Sequence, residues 1–155
     1  GLPERRLRDL TARRREAARG GGNVRARRIY HAPMPRTVLE EARLHPAIRE
    51  TVANLNADIV HNVAAAASSN PVLVVGMAGN PHVHRARKLL GAAGIAHHYL
   101  EFGSYFSEWR RRGALKMWTG WPTFPMVFVK GTLIGGASDL ERLVTGGELK
   151  RILGE

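Results

Sequence analysis

One stretch near the C-terminus, residues 121–139, combines residue types that could bind a small acidic peptide. Pro125 has no N–H and holds the preceding residue extended; if its peptide bond is cis, the backbone of Phe124 turns outward and could pair with an extended peptide. About ten residues later, residues 136–139 are expected to open a helix whose free N–H groups suit a carboxylate. This spacing predicts binding chemistry, with a backbone edge beside an anion pocket.

Residue types that perform covalent or metal chemistry are poorly represented. The sequence has no cysteine, which excludes disulfides, thiol nucleophiles and cysteine-ligated metals from these 155 residues. Histidines at 82, 84, 97 and 98 are candidate ligands, but His82 and His84 are two residues apart on a predicted helix and face different directions. Asp139 has no carboxylate or histidine partner within motif distance. We therefore predict no metal site and no catalytic residue.

The binding stretch needs a framework, which periodicity and chain breaks predict. Asn80 is a good helix N-cap and Pro81 occupies the favoured first helical position. This helix lies between two predicted strands, and a strand–helix–strand order implies a parallel pair of strands with a right-handed crossover. The predicted elements are a strand over 71–75, a helix over 80–93, a strand over 95–102, a helix over 104–118, a hairpin of strands 126–130 and 132–134, and helices over 138–144 and 147–153. Apolar contacts from the helix over 104–118 are expected from Tyr105, Phe106, Trp109, Leu115 and Trp118.

Residues 37–70 are predicted to be a helical lead-in. Thr37 is a plausible N-cap with Glu40 at the capping-box position, which predicts a helix to about Leu44. Pro46 can begin a second helix, a long amphipathic one that extends to about Ala67. The apolar residues that recur at helical spacing in it are Ile48, Val52, Leu55, Ile59 and Val63.

Several of these motifs resemble a known family. The sequence Trp-Pro-Thr-Phe-Pro over 121–125, a short strand, the Lys130-Gly131 turn and Gly-Gly before Asp139 are similar to the glutathione-binding half of glutaredoxins. The Trp-Pro start is most similar to the monothiol branch, and the resemblance covers residues 71–155. It implies an α/β thioredoxin fold of the glutaredoxin type, with a four-stranded mixed sheet flanked by helices.

The reactive position of that family is changed here. Glutaredoxins carry Cys-Pro-Tyr-Cys or Cys-Gly-Phe-Ser at the start of the helix after the first strand, where this chain has Asn-Pro-His-Val over 80–83. Asn80 thus occupies the position of the nucleophilic cysteine, and Met77 that of a lysine just before it. A carboxamide cannot attack a disulfide or ligate a cluster iron. The resemblance therefore implies a protein without thiol–disulfide exchange and without an iron–sulfur cluster.

The remaining glutathione-site positions retain the expected residue types. Arg112 lies nine residues before Trp121, where monothiol glutaredoxins hold an arginine that contacts the glycine carboxylate of glutathione. The residues that the resemblance assigns to a vestigial glutathione site are Arg112, Thr123, Phe124, Pro125, Gly136, Ser138 and Asp139. No resident cofactor is expected, although glutathione itself remains a possible ligand.

The positive charge is concentrated at the N-terminus. The whole sequence carries a formal charge of +11, and residues 1–36 contain eleven arginines against three acidic residues, a net charge of +8. This segment is predicted to be an extended Arg-rich arm that binds an acidic protein groove, RNA or an anionic lipid surface; the alternative is a disordered solubilising arm. The arginines that we expect to contact such a partner are Arg5, Arg6, Arg8, Arg13, Arg14, Arg15, Arg25, Arg27 and Arg28.

The sequence divides into the arm (1–36), the helical lead-in (37–70) and the glutaredoxin-like domain (71–155). The chain begins with Gly1, its N-terminus resembles organelle-targeting segments in composition, and no apolar run approaches the ~20 residues of a membrane span. We expect a non-catalytic accessory subunit with a structural role in a large assembly on the matrix side of mitochondria, most plausibly a respiratory-chain or ATP-synthase complex. The alternatives are a mitochondrial ribosome subunit whose arm binds rRNA, and a glutathione-binding sensor without redox activity.

Overall fold

A computed structural model describes residues 35–155. Residues 35–40 have no regular secondary structure, and residues 40–155 form one compact unit. After a short 3-10 turn at Glu41–Arg43, the elements are α1 (Pro46–Asn54), α2 (Ala57–Ser69), β1 (Val72–Gly76), α3 (Pro81–Ala92), β2 (His98–Glu101), α4 (Trp109–Thr119), β3 (Met126–Val129), β4 (Thr132–Gly135), α5 (Ala137–Thr145) and α6 (Glu148–Leu153). No described helix is both long enough and apolar enough to span a bilayer. The Arg-rich arm and its predicted contact residues up to Arg28 lie outside the described residues.

The four strands form the predicted mixed sheet, in the order β2-β1-β3-β4. β1 runs parallel to β2, with Val74 opposite Tyr99, and antiparallel to β3, with Val74 opposite Val127. β3 and β4 form the predicted hairpin, in which Lys130 and Gly131 have φ values of 47° and 79°. A tight two-residue hairpin turn requires two consecutive residues with a left-handed backbone, and the Lys130-Gly131 pair has this conformation.

The sheet is covered on both faces, and β1 is buried along its whole length. Because side chains alternate along a strand, Leu73 and Val75 pack on one face and Val72 and Val74 on the other. The first face is covered by α2 and α4 through Ile59, Val63, Ala114 and Leu115. The second face is covered by α3, α5 and α6 through Ala86, Leu90, Leu140 and Leu149.

The lead-in differs from its prediction in two places. The helix expected over 37–44 is wrong, because only the 3-10 turn forms and Glu40 makes no capping hydrogen bond. A helix this short is hard to nucleate, and His45-Pro46 prevents its extension. The single long helix from Pro46 is also wrong: Asn56 adopts a left-handed conformation (φ 49°) and separates α1 from α2. Asparagine tolerates that conformation better than most residues.

The segment between β1 and α4 is less regular than the sequence pattern predicts. The strand expected over 95–102 spans only His98–Glu101, and the helix expected from residue 104 begins at Trp109. Gly103 and Glu108 both have positive φ values, of 65° and 55°, which excludes a continuous helix through them. The turn between them is closed by the N–H of Ser104, which donates to the hydroxyl of Ser107 at 3.0 Å.

Three aromatic side chains in and next to this irregular turn are exposed instead of packed in the core. The expected packing of Tyr105, Phe106 and Trp109 is wrong, since they are 58%, 96% and 61% exposed. Leu115 is fully buried, and Trp118 stacks against Phe128 with ring centroids 6.2 Å apart. The predicted apolar contacts are therefore found at Leu115 and Trp118, towards the C-terminal end of α4.

Candidate functional site

The predicted binding residues converge at one edge of the sheet. β1 and β2 end at this edge, β3 begins there because it is antiparallel to β1, and β4 ends there. The chain segments that follow β1, precede β3 and follow β4 therefore meet. They enclose a pocket of about 240 Å³ lined by His82, Trp121, Thr123, Phe124, Pro125, Gly136, Ala137, Ser138 and Asp139. Six of the seven residues assigned to a vestigial glutathione site lie in this lining.

Arg112 is the exception, because it is not among the residues that line the pocket. Its side chain is buried, with only 6% exposed, and one terminal nitrogen donates to the carbonyls of Phe102 at 2.7 Å and Ser107 at 2.6 Å. These bonds join α4 to the turn that follows β2. The guanidinium group thus satisfies two backbone carbonyls inside the protein and is directed away from the pocket lining.

Asn80 adjoins the pocket and completes helix α3. Its side-chain oxygen accepts hydrogen bonds from the backbone N–H groups of His82 at 2.9 Å and Val83 at 3.3 Å, which confirms the predicted N-cap. Its amide nitrogen lies 3.5 Å from the carbonyl oxygen of Phe124, at the long limit of a hydrogen bond. The carboxamide thus satisfies free N–H groups at a helix start, and it offers no nucleophile.

The backbone edge of the pocket is formed around Pro125. The Phe124–Pro125 peptide bond is cis, and the side chain of Phe124 is buried in the core. The ammonium group of Lys116 lies 5.8 Å from the centre of the Phe124 ring. The carbonyl group of Phe124 therefore faces the N-cap of α3, while its side chain anchors the segment below.

The predicted anion pocket is partly filled by the protein itself. The N–H of Gly136 donates to a carboxylate oxygen of Asp139 at 2.9 Å, so the expectation that this N–H is free is wrong. Gly135 makes room for that carboxylate: it has a φ of 115°, and a Cβ there would approach Cγ of Asp139 to 2.7 Å. The carboxylate of Asp139 therefore places a negative charge in the predicted anion pocket, and this charge disfavours the binding of an anion there.

A positively charged side chain that the sequence analysis did not identify, Arg85, lies beside the same pocket. Arg85, on α3, donates to the hydroxyl of Ser138 at 2.9 Å and lies 3.9 Å from a carboxylate oxygen of Glu141. Its position three residues after His82 puts both side chains on one face of α3, which is the signal that could have identified it. The rim of the pocket therefore carries both signs of charge.

Trp121 closes the pocket with a side chain that the motif alone does not explain. Its indole packs against Gly136, where a Cβ would lie 3.6 Å from the indole nitrogen. The indole N–H is buried and has no hydrogen-bond partner among the described residues. Within residues 35–155, no three His, Asp or Glu side chains are grouped as metal ligands would be.

Comparison with known proteins places this geometry in a family. The chain is 47% identical over 102 residues to "Glutaredoxin-like protein" of Dictyostelium discoideum, which covers 66% of this chain and 83% of that relative. It is 27% identical over 114 residues to "Monothiol glutaredoxin-S4, mitochondrial" of Oryza sativa subsp. japonica, covering 72% of this chain and 61% of the relative. No family model matches the chain.

Solved structures agree with the sequence comparison. The holo form of glutaredoxin C1 from Populus tremula x tremuloides superposes with a TM-score of 0.57 at 26% identity, over 65% of this chain and 91% of that one. The buckwheat glutaredoxin–glutathione complex superposes with a TM-score of 0.56 at 24% identity, over 65% and 92%, which supports the fold alone. The predicted fold and family are confirmed: the chain belongs to the glutaredoxin family and lacks the cysteine on which the thiol chemistry of that family depends.

Proposed function

We propose that this protein is a non-catalytic member of the glutaredoxin family, an accessory subunit with a structural role in a large mitochondrial assembly. The observation that carries the proposal is the use of Asn80 as a helix cap. Its oxygen accepts two backbone hydrogen bonds at the place where the family's chemistry requires a thiolate. The site has thus exchanged a reactive group for a stabilising one.

The exposed apolar surface of the domain supports a role within an assembly. No residue of α1 is buried, and its apolar residues Ile48 and Val52 are each 46% exposed. Between α1, α2 and α4 lies a cavity of about 510 Å³ whose lining includes Val52, Leu55, Met117 and Trp118. Large apolar surfaces of this kind are typical of contacts between proteins.

The mitochondrial matrix is proposed as the compartment. One relative, from rice, is named as a mitochondrial monothiol glutaredoxin, and the N-terminal composition is typical of imported proteins. A respiratory-chain or ATP-synthase complex is the favoured assembly, because nothing in the domain is a nucleic-acid-binding motif. The Arg-rich arm would then run along neighbouring protein subunits or an anionic lipid surface.

Gradient sedimentation of a gently solubilised mitochondrial extract tests this proposal. We expect the chain to migrate with a very large particle, and the same migration after ribonuclease treatment. A chain that sediments alone, near its mass of 17.1 kDa, would refute the subunit role.

A mitochondrial ribosome subunit is a second candidate, favoured by the +8 charge of residues 1–36. Its arm would bind rRNA through the arginine side chains, which predicts a steep salt dependence of binding. In the sedimentation experiment, ribonuclease would then collapse the particle that carries the chain. Deletion of residues 1–36 should abolish RNA binding.

A glutathione-binding sensor without redox activity is a third candidate. It is favoured by the pocket, which retains Thr123, Phe124, Pro125 and the start of α5 in one place. Calorimetric titration with millimolar glutathione distinguishes it from the structural role, for which no heat of binding is expected. Arg112 is not a useful probe here because it lies outside the pocket; Ser138→Ala, which removes a side chain from the lining, replaces it.

A further inference from the structure

The turn between β2 and α4 presents a surface that the family resemblance does not explain. Residues 103–110, which comprise this turn and the first two residues of α4 and which we call the aromatic loop, carry Tyr105, Phe106 and Trp109 with 58%, 96% and 61% of their surface exposed. Phe106 is the most exposed large apolar side chain among the described residues. The loop follows β2 and so lies at the same edge of the sheet as the pocket.

The aromatic loop is firmly attached to the domain. Arg112 donates to the carbonyl of Phe102, just before the loop, and to that of Ser107 within it. The carbonyl of Gly103 accepts the N–H of Ala78 at 2.8 Å, which ties the loop to the segment after β1. A Cβ at Gly103 would meet the carbonyl oxygen of Ser107 at 2.7 Å, so the turn is also tightly packed.

This attachment makes the exposed aromatic side chains suitable for docking. A loop whose backbone is already ordered loses little conformational entropy when a partner covers it. Tryptophan, tyrosine and arginine are enriched among the residues that dominate the binding energy of protein interfaces, and aromatic side chains bury a large area with few rotatable bonds. Tyr105, Phe106, Trp109 and Arg110 have that composition within six residues of sequence.

The charge of the loop indicates the chemistry of its partner. The guanidinium group of Arg110 lies 4.9 Å from the centre of the Trp109 ring, and no carboxylate within residues 35–155 forms an ion pair with it. Its neighbour Arg111, in contrast, is paired with Glu108 at 2.7 Å and Asp58 at 2.8 Å. One uncompensated positive charge therefore stands beside an apolar surface.

We propose that the aromatic loop docks an acidic, apolar segment of a protein partner. Apolar side chains of that segment would cover Tyr105 and Phe106, and a carboxylate would bind Arg110. A single free cation favours a protein over a nucleic acid, whose affinity comes mainly from several neutralised phosphates. This inference rests on the proposed role as a subunit and names the surface by which the subunit is held.

Hydroxyl-radical footprinting of the full chain tests the surface directly. Labelling of Tyr105, Phe106 and Trp109 is compared between a mitochondrial extract and the purified recombinant chain, with and without ribonuclease. We expect at least fivefold less labelling of the three residues in the extract, unchanged by ribonuclease. Equal labelling in both samples would overturn the proposal, and protection that ribonuclease removes would assign the surface to RNA instead.

Variants then test the two kinds of contact, each against a matched change elsewhere. Phe106→Ser should reduce the particle-bound fraction of the chain at least tenfold, and because its side chain is 96% exposed the fold should be unaffected. Val38→Ser removes an apolar side chain that is 65% exposed and lies outside the cavity between α1, α2 and α4, and it should have less effect. Arg110→Glu should release the chain, Arg110→Lys should retain it, and Lys150→Glu, the same charge change on α6, should have no effect.

The outcomes separate this inference from the proposed function. If the chain migrates with a large particle but Phe106→Ser and Arg110→Glu bind normally, the subunit role stands and the docking surface is wrong. If the chain migrates alone while its loop is protected in the extract, the docking surface stands and the large assembly is wrong. If it migrates alone and unprotected, both are refuted.

Discussion

Replacing Asn80 with alanine tests whether this position now serves stability. The alanine variant removes the oxygen that accepts the N–H groups of His82 and Val83 at 2.9 and 3.3 Å. Loss of an asparagine N-cap typically costs about 1 kcal/mol of the free energy of unfolding. The contact between the Asn80 amide and the Phe124 carbonyl adds little, because 3.5 Å is at the limit of a hydrogen bond. We therefore expect a loss of about 1 kcal/mol, or roughly 4 °C in the melting temperature.

Equilibrium unfolding in urea, followed by tryptophan fluorescence, measures this loss. Asn80→Asp is the matched control, since a carboxylate also caps the helix and is favoured by the helix dipole. It should stay within about 0.5 kcal/mol of the parent. The slope of the unfolding curve should not change among the variants, so that midpoints can be compared.

Two results would refute the reasoning. If Asn80→Ala is as stable as the parent, the cap seen at α3 does not contribute, and the asparagine needs a different explanation, such as contact with a ligand. If Asn80→Asp loses as much stability as Asn80→Ala, the negative charge is unfavourable near the Phe124 carbonyl, and the amide donor contributes more than its 3.5 Å distance indicates. Either result would weaken the proposal of a structural role.

Three further predictions follow from the same structure. Arg112→Met should lower the free energy of unfolding by about 2–4 kcal/mol, because two carbonyls lose their donor; an unfolding curve matching the parent's would show that the arginine serves a ligand instead. Gly135→Ala should lower the free energy of unfolding by at least about 1 kcal/mol, because the backbone at Gly135 is left-handed and Asp139 occupies the space that a Cβ would need. Gly113 lies in α4 with nothing within 4 Å of a Cβ, so Gly113→Ala should raise the free energy of unfolding by about 0.5–1 kcal/mol in the same urea experiment. A loss of stability at both positions would contradict this reasoning. Burial, followed by the hydrogen bond to Glu101, raises the pKa of Tyr99 to about 12, so the folded state holds its proton longer than the unfolded state and stability should fall between pH 10 and 12. Tyr99→Phe should show a shallower fall in urea midpoints over that range, and identical pH profiles would exclude the shifted pKa.

The sequence predicted best those features that depend on short-range chain chemistry. The Asn80-Pro81 helix start and the Lys130-Gly131 hairpin are both found in the structure, because capping and left-handed turns are decided by a few adjacent residues. The buried strands were equally clear, since β1 is apolar at four of its five positions and covered on both faces. The family motifs then ordered these elements into the correct sheet.

The sequence did not predict the direction in which a long side chain points. Arg112 was placed by its spacing from Trp121, but spacing does not say whether a long side chain points into a pocket or back into the core. Its carbonyl partners lie ten and five residues earlier in the chain, at Phe102, which was predicted to end a strand, and at Ser107, which was predicted to be helical. An incorrect secondary structure for residues 104–108 therefore concealed the Ser107 acceptor of Arg112 and the exposure of Phe106.

Asn80 and Arg112 both satisfy hydrogen-bonding groups of the protein's own backbone. The N-terminus of α3 has free N–H groups that some acceptor must satisfy, whether a thiolate or the oxygen of Asn80. In this chain the oxygen of Asn80 satisfies them without a thiol. Arg112 likewise meets an internal requirement, and by doing so it fixes the aromatic loop outward. The pocket edge of the sheet thus retains its architecture while its reactive position is occupied by a cap, and the exposed chemistry lies beside it on Phe106 and Arg110.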